Sequence, residues 1–344
     1  MKKRNIRFRT VHGMSALILV SNLFVGAQPP PAAPLRPIAT YSIVAYDPAS
    51  GQMGVAVQSH WFSVGSTVTW AEAGIGAVAT QSFVEPAYGP LGLQLLRAGK
   101  TAREALTALL TVDAHKEVRQ VAMVDVRGDV AVHTGAKCIA AAGHRQGVHY
   151  SCQANMMEKD TVWTAMATAF EAAPGELVDR LLAALLAAEK EGGDIRGRQS
   201  AAILVVSNKT SGTPWKNRVF DLRVEDHPQP LQELQRLVTI AKAYNHMNRG
   251  DDLLTENNVS RALAEYTTAM GIYPGNPEMV FWPAVTMAAS GQVEESLPLF
   301  KKVFATDRRW AELLKRLPAV GQFPDDPALL KKILGLVPQP KKKK

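Results

Sequence analysis

The chemistry that this sequence could perform centres on a threonine at the start of the first predicted strand. Thr40 opens the alternating run of residues 40–47, and Ala39 precedes it. A threonine hydroxyl becomes an effective nucleophile when a base lies beside it. The α-amino group of a terminal threonine is such a base, because its pKa is about 7.7–8.0. Cleavage of an amide bond through an acyl-enzyme on Thr40 would therefore require a cut between Ala39 and Thr40.

The positive charge for such a reaction has to come from a distant part of the chain. No lysine or arginine occurs between Thr40 and Leu96, whereas Arg196 and Arg198 lie in a glycine-bearing loop at residues 191–199. Guanidinium groups suit a carboxylate, an amide oxygen or a developing oxyanion. We therefore predict that Arg196 or Arg198 is the charge stabiliser, and both are catalytic candidates. The structural alternative is an ion-paired turn that holds two helices to the sheet.

Other polar residues fall on predicted strand ends and loops. Ser59 ends the second predicted strand, where it could assist acid–base catalysis or have a purely structural role. Loops carry binding residues more often than cores do. We predict four substrate-binding residues, each with a structural alternative: Gln81, His144, Asp194 and Gln199.

We predict neither a metal nor a cofactor. The two cysteines, Cys138 and Cys152, have no close histidine pair and make a poor zinc site. They could form a disulfide in an exported protein or remain free thiols. No phosphate-binding, dinucleotide-binding or zinc-protease motif is present.

The elements that would position these residues come as strand pairs and helix pairs. Strands are predicted at residues 40–47, 54–59, 66–70, 76–83, 119–125, 129–134, 200–206 and 218–224, and helices at 88–98, from 101 onward, at 160–173 and at 175–188. Thr101 and Glu104 form a predicted capping box. Short turns favour antiparallel sheets, and paired helices favour helix layers over stacked sheets. The predicted fold class is α+β, a four-layer αββα sandwich over residues 40–228.

An all-α helical-repeat domain is predicted over residues 229–338. Ala262 and Tyr266 are matched 34 residues later by Ser296 and Phe300. Small and aromatic residues at this period resemble tetratricopeptide repeats. An irregular helical bundle is the alternative. Either arrangement would serve packing or the binding of a protein partner.

The two ends of the chain indicate export and exclude a nucleic-acid partner. Residues 1–27 have the basic start, apolar run and small-residue exit of a secretory signal, with an uncleaved membrane anchor as the alternative. Residues 28–39 form a Pro-rich tether and residues 339–344 a basic tail. The net charge is +8, but nine positive charges lie in the first nine and last four residues, so the remainder is nearly neutral. We predict a periplasmic or secreted protein.

Several landmarks together resemble one known family. They are the runs at residues 40–48, 54–59, 76–82, 88–89, 133–135, 143–144, 193–201 and 221–227. Over about residues 40–235, these runs resemble the family labelled domain of unknown function 1028. That family is similar to the N-terminal-nucleophile hydrolases, which implies an αββα sandwich but no substrate. Proteasome-like relatives use a lysine near the nucleophile and an aspartate in the second strand, where this chain has Gln58 and Ser59.

These observations predict an exported N-terminal-nucleophile-type hydrolase that acts on an amide bond of a small or peptide-like substrate. The alternative is a non-catalytic periplasmic ligand-binding or scaffold protein with a helical-repeat interaction module. Cleavage after Ala27 alone would leave residues 28–39 in front of Thr40, which favours the alternative. The C-terminal helices predict a protein partner or an intramolecular lid, and homo-oligomer formation stays open.

Overall fold

The computed structural model describes residues 39–210 and 214–339. The predicted secretory signal, the tether up to residue 38 and the tail from residue 340 lie outside these ranges. The strands are β1 (Thr40–Tyr46), β2 (Met53–Ser59), β3 (Thr69–Glu72), β4 (Gly76–Ser82), β5 (Arg119–Asp125), β6 (Val130–Thr134), β7 (Gly143–Gly147), β8 (Tyr150–Asn155), β9 (Ser200–Val206) and β10 (Arg218–Val224). The helices are α1 (Gly65–Val68), α2 (Tyr88–Arg97), α3 (Ala102–Val112), α4 (Val162–Ala172), α5 (Leu177–Lys190), α6 (Pro230–Thr255), α7 (Val259–Ile272), α8 (Glu278–Ala289), α9 (Val293–Thr306), α10 (Arg309–Leu314) and α11 (Pro327–Leu334).

The larger of two sheets is built around β1 and β2. Its strand order is β10-β9-β2-β1-β8-β7, and neighbouring strands pair antiparallel. β1 lies between β2 and β8, so that Thr40 is opposite Ser59 on one side and Asn155 on the other. The first residue of β1 therefore lies between two neighbouring strands.

The second sheet has the order β3-β4-β5-β6 and is also antiparallel. The two sheets pack face to face through an apolar cluster that includes Val44, Val57 and Leu204. α4 and α5 pack on the outer face of the larger sheet, and α2 and α3 pack on the outer face of the second. Alternating side chains in each strand supply both an inner and an outer buried face.

Two stretches of the first region differ from the sequence prediction. Residues 65–68 form the single helical turn α1, and β3 begins only at Thr69. The hairpin of β7 and β8 was not predicted. Every residue of β8 is buried, yet Ser151, Gln153 and Asn155 are polar and face the second sheet. Tyr150, Cys152 and Ala154 alternate with these polar residues, so the sequence carries the period-two pattern of a strand here and the prediction missed it.

The helical region begins with α6, which contributes to two cores. Leu231 and Leu234 in its first turns pack into the outer core of the larger sheet. Met247, further along, packs with Tyr266 of α7. The predicted domain boundary after residue 228 thus precedes a helix that continues from one core into the next. The prediction of an α+β fold with antiparallel sheets and a helical C-terminal region is confirmed.

The residues matched at a spacing of 34 are buried in two helices of this region. Ala262 and Tyr266 lie on α7, while Ser296 and Phe300 lie on α9. Across the ranges that the structure describes, no helix is both long and apolar enough to span a membrane.

Candidate functional site

Polar side chains of the two facing sheets gather at one end of the space between them. We call this set the intersheet polar cluster, and its members are all buried: Thr40, Ser42, Ser59, Gln81, Gln120, Gln153 and Asn155. Burial of polar groups is costly unless they are hydrogen-bonded. Their concentration at the start of β1 therefore marks this end of the sandwich as the candidate site.

The peptide bond between Ala39 and Thr40 lies within this end. The carbonyl oxygen of Ala39 accepts a hydrogen bond from Arg196 Nη2 at 3.1 Å and another from the hydroxyl of Ser59. The Thr40 hydroxyl donates to Ser59 Oγ at 3.4 Å. Two donors on one carbonyl oxygen polarise the carbonyl and would stabilise negative charge that develops on it. Ala39 and Thr40 are both fully buried.

Arg196 is held in this position by Asp194. The side chain of Asp194 is completely buried, and Arg196 donates to it from Nε at 3.1 Å and from Nη2 at 2.9 Å. The backbone N–H of His60 donates to the same carboxylate at 2.9 Å. Gly193 at φ 63° and Gly197 at φ 106° allow the loop to turn on both sides of this pair. Asp194, predicted to bind substrate, thus contacts Arg196 and positions it.

The other loop residues make different contacts. Arg198 forms an ion pair with Glu189, which also accepts from the Tyr41 hydroxyl at 2.6 Å. Burial raises the pKa of Tyr41 and Glu189 raises it further, so the phenol remains a proton donor. The side-chain amide of Gln199 donates to Asp226 at 3.1 Å. The structure brings the Arg196 side chain to the Ala39 carbonyl and directs the side chains of Arg198 and Gln199 elsewhere.

Gln81 lies directly against the candidate nucleophile. Its side-chain N–H group donates to the Thr40 carbonyl at 3.2 Å and to Gln120 Oε1 at 2.7 Å. Its amide oxygen accepts from Ser42 at 2.6 Å. Gln81 thereby fixes the backbone of β1 from the opposite sheet, which is a positioning role in the uncut chain.

His144 is connected to the same network at its far end. Its Nδ1 lies 2.9 Å from the hydroxyl of Thr134, and that oxygen accepts from Gln120 Nε2 at 2.9 Å. Burial lowers the pKa of His144, and neighbouring His133 lowers it further, which favours the neutral ring at neutral pH. Thr134, Gln120 and Gln81 thus link His144 to Thr40.

Asn155 was not predicted as a site residue. It lies opposite Thr40 on β8, and its Nδ2 donates to Gln120 Oε1 at 3.0 Å. Its side-chain oxygen is buried and has no hydrogen-bond partner in the structure. Asn155 was missed because β8 was not predicted, although the alternation of apolar and polar residues from Tyr150 to Asn155 indicates a strand.

Backbone strain occurs at this end as well. Ser82 follows Gln81 with φ 71°, and Met156 follows Asn155 with φ 58°. Residues other than glycine seldom adopt positive φ, and they cluster where a site demands a particular geometry. Ser82 is the last residue of β4 and Met156 directly follows β8, and both strands enter the intersheet polar cluster.

The remaining candidate features contribute no reactive group. Among the described residues, no set of His, Cys, Asp or Glu side chains is arranged to hold a metal ion. Cys138 and Cys152 are free thiols, and burial raises the pKa of both. A cavity of about 460 Å³ lined by Arg103 and His149 lies at the opposite end of the strands and holds no candidate nucleophile.

The larger part of this chain matches a known protein family. A family model described as "Family of unknown function (DUF1028)" matches residues 40–234. The match covers more than half of the chain, so the chain belongs to this family, as its sequence landmarks predicted. The matched region begins at Thr40, the candidate nucleophile.

A solved structure of the same family is also similar. It is the crystal structure of a protein from Silicibacter pomeroyi, assigned to DUF1028, with 30% sequence identity and a TM-score of 0.53. The similarity covers 59% of this chain and 89% of that chain. Among curated proteins, none matches this chain.

Proposed function

We propose that this protein is an exported hydrolase of the N-terminal-nucleophile type that cleaves an amide bond of a small or peptide-like substrate. One observation carries the proposal. The carbonyl of Ala39 is held by Arg196 and Ser59, and the Thr40 hydroxyl lies beside Ser59. This is the arrangement expected of a peptide bond that its own neighbouring threonine will break.

The first reaction in this proposal is cleavage of the chain itself. The Thr40 oxygen attacks the carbonyl carbon of Ala39, a C–O bond forms, and the C–N bond to Thr40 breaks. The hydroxyl proton ends on the released amino group. Water then hydrolyses the Ala39 ester, which leaves a carboxylate on Ala39 and regenerates the Thr40 hydroxyl. Arg196 and Ser59 stabilise the oxyanion that forms at each addition.

The second reaction repeats these steps on a substrate. The α-amino group of Thr40 takes the hydroxyl proton as base, because its pKa of about 7.7–8.0 is close to the working pH. The Thr40 oxygen attacks the substrate carbonyl, and the leaving amine receives the proton. The unpaired oxygen of Asn155, opposite Thr40, can accept a hydrogen bond from the new amino group. Asp194 and Gln81 position the reacting groups.

The layered fold supports this assignment. Helix pairs cover two antiparallel sheets on their outer faces, and Thr40 starts a central strand with its side chain between the sheets. An αββα sandwich with the nucleophile in that place is the arrangement implied by the resemblance to N-terminal-nucleophile hydrolases. Export is supported by the secretory pattern of residues 1–27.

For the C-terminal helices we propose a tetratricopeptide-like module that binds a protein partner. Tyr266 on α7 and Phe300 on α9 are both fully enclosed at positions 34 residues apart. The small residues Ala262 and Ser296 precede them by four positions and are buried too. Equivalent buried positions at a constant period are what stacked helical repeats require.

A non-catalytic binding or scaffold protein is the competing proposal. The observation in its favour is that Ala39 and Thr40 have no solvent-exposed surface in the uncut chain. A substrate cannot reach a nucleophile in that state. The two proposals therefore differ in whether the bond between Ala39 and Thr40 is cut.

The deciding experiment is N-terminal sequencing together with the intact mass of the purified exported protein. We expect a mature chain that begins at Thr40. Thr40→Ala should remain uncut because it lacks the attacking oxygen, whereas Thr40→Ser should still be cut. A folded mature protein that begins at Gln28 would reject the hydrolase proposal.

A further inference from the structure

We propose that the acyl subsite of this protein accepts a residue no larger than alanine or serine, so that its substrates are peptide amides with a small residue on the acyl side of the cleaved bond. The inference rests on the proposed hydrolase function. It adds the chemical class of the substrate to that function. Ala39 identifies this class, because the chain presents its own first acyl group to Thr40.

The chemical argument is that both reactions pass through the same kind of ester. Self-cleavage forms a Thr40 ester whose acyl group is the carboxyl end of Ala39. A substrate with alanine on the acyl side forms a Thr40 ester with the same local structure. A site that hydrolyses the first ester has already provided the contacts that the second one needs.

The structural argument is the complete burial of Ala39. Its side chain is a single methyl group, and the residue has no exposed surface. Its carbonyl oxygen is held from two directions by Arg196 and Ser59, and Arg196 is itself fixed by the buried Asp194. A larger side chain at this position would have to displace close-packed neighbours or lose the carbonyl contacts.

Two large apolar residues are exposed on the loops that carry His60 and Arg196. Phe62 and Ile195 are each 63% exposed, although both are large apolar residues. They lie on two loops that are joined by the hydrogen bond from the His60 N–H to Asp194. They suit an apolar residue before the small one, as Ile38 precedes Ala39 in the chain.

The first experiment varies the residue at position 39 in the full-length protein. Ala39→Gly and Ala39→Ser are the matched small variants, and Ala39→Leu and Ala39→Phe are the large ones. The cut fraction is followed over time by intact mass. We expect the small variants to be cut at rates near that of the parent, and the large ones at least about tenfold more slowly. Thermal unfolding of each variant identifies any that fails to fold.

The second experiment tests substrates in solution and does not depend on how the variants fold. The self-cleaved parent protein is given acetyl-Pro-Ile-Ala-p-nitroanilide or acetyl-Pro-Ile-Leu-p-nitroanilide. We expect kcat/KM for the alanyl compound to be at least about tenfold higher. The uncut Thr40→Ala protein is the control and should release no nitroaniline.

The outcomes separate this inference from the proposed function. Equal rates for the alanyl and leucyl compounds would overturn the small subsite and leave the hydrolase proposal intact. Self-cleavage without hydrolysis of either compound would also overturn the inference alone. A parent chain that stays uncut and inert would overturn the proposed function, and the inference with it.

Discussion

The space between the two sheets has two halves of opposite character, although the same strands form both. On β1, Thr40 and Ser42 belong to the intersheet polar cluster, and Val44 on the same face belongs to the apolar cluster. On β2, Ser59 is at the polar end and Val57 begins the apolar part. On each strand the change from polar to apolar thus occurs between two successive residues of the inner face, which are two positions apart in sequence.

The two halves of this layer contribute differently to stability and to chemistry. Apolar side chains of the same size would stabilise the polar half more, because each buried polar atom must find a partner to offset its lost hydration. The polar half instead holds hydrogen bonds around one peptide bond. We interpret the apolar half as the part that keeps the sheets together, and the polar half as the part that positions Thr40, Ser59 and Arg196.

The sharpest test of this division is Arg196→Met. The substitution keeps an unbranched side chain and removes one of the two donors on the Ala39 carbonyl. We expect self-cleavage to slow by about 10²–10³-fold, the usual effect of losing one oxyanion donor. Intact mass over time measures the rate. Arg218→Met is the control, since Arg218 is exposed on β10 and pairs with Asp221.

Two results would contradict the role of Arg196. One is an unchanged rate in a folded Arg196→Met protein. The other is a larger loss in Arg198→Met, which would move the catalytic charge to the residue that the structure pairs with Glu189. Circular dichroism of both variants shows whether the fold is kept.

The apolar half should respond in the opposite way. Leu204→Ala removes a buried side chain of the apolar cluster, and we expect the free energy of unfolding to fall by about 2–5 kcal/mol. The rate of self-cleavage in the folded protein should stay the same. Urea unfolding measures the first quantity. Val320→Ala, at a residue that is 68% exposed, should change stability by less than about 0.5 kcal/mol.

Two buried glutamines allow a comparison between side-chain amides with and without hydrogen-bond partners. Gln81→Met would strip partners from Ser42, Gln120 and the Thr40 carbonyl, so we expect about 1–3 kcal/mol of destabilisation and slower self-cleavage. Gln58 is buried with both amide atoms unpaired in the structure. Gln58→Met should therefore leave stability unchanged or raise it by up to about 1 kcal/mol. A large loss in Gln58→Met would show that its amide is bonded in solution.

The smallest effect is expected from pH. The pKa of His144 is lowered in the folded protein, mainly by burial of the ring and further by His133. The unfolded chain therefore binds a proton to this ring at a higher pH than the folded chain does. The stability that the neutral His144 ring contributes is present above pH about 6.5, the pKa of the ring in the unfolded chain. This contribution is lost as the pH falls below that value. His144→Gln should reduce the fall in stability between pH about 7.5 and about 5.5, measured by urea unfolding.

Local patterns predicted most of the first region. The capping box of Thr101 and Glu104 is present at the start of α3. The hairpin of β5 and β6 occurs where it was predicted, because two apolar runs flank a turn at Gly128. Such features depend on residues only a few positions apart, so the sequence alone can indicate them.

The site was predicted only in part for the same reason. Thr40, Ser59 and Gln81 stood out because they begin or end predicted strands. Gln120 and Asn155 did not, because a single polar residue on a strand is normally predicted to lie on the surface. The sequence does not show that the opposite sheet buries them. Gln81 donates across the sheets to the carbonyl of Thr40, 41 positions away, and to that of Gln153, 72 positions away, and no local pattern records such contacts.

The sequence by itself determined that a threonine follows Ala39 at the head of a strand and that two arginines occupy one glycine-bearing loop. Only the tertiary structure decided which arginine reaches the peptide bond. Arg196 contacts the Ala39 carbonyl across 157 positions of sequence, because the buried carboxylate of Asp194 holds its guanidinium against the end of β1. Arg198, two residues later, is held by Glu189. Their types are identical, and their surroundings assign them different roles.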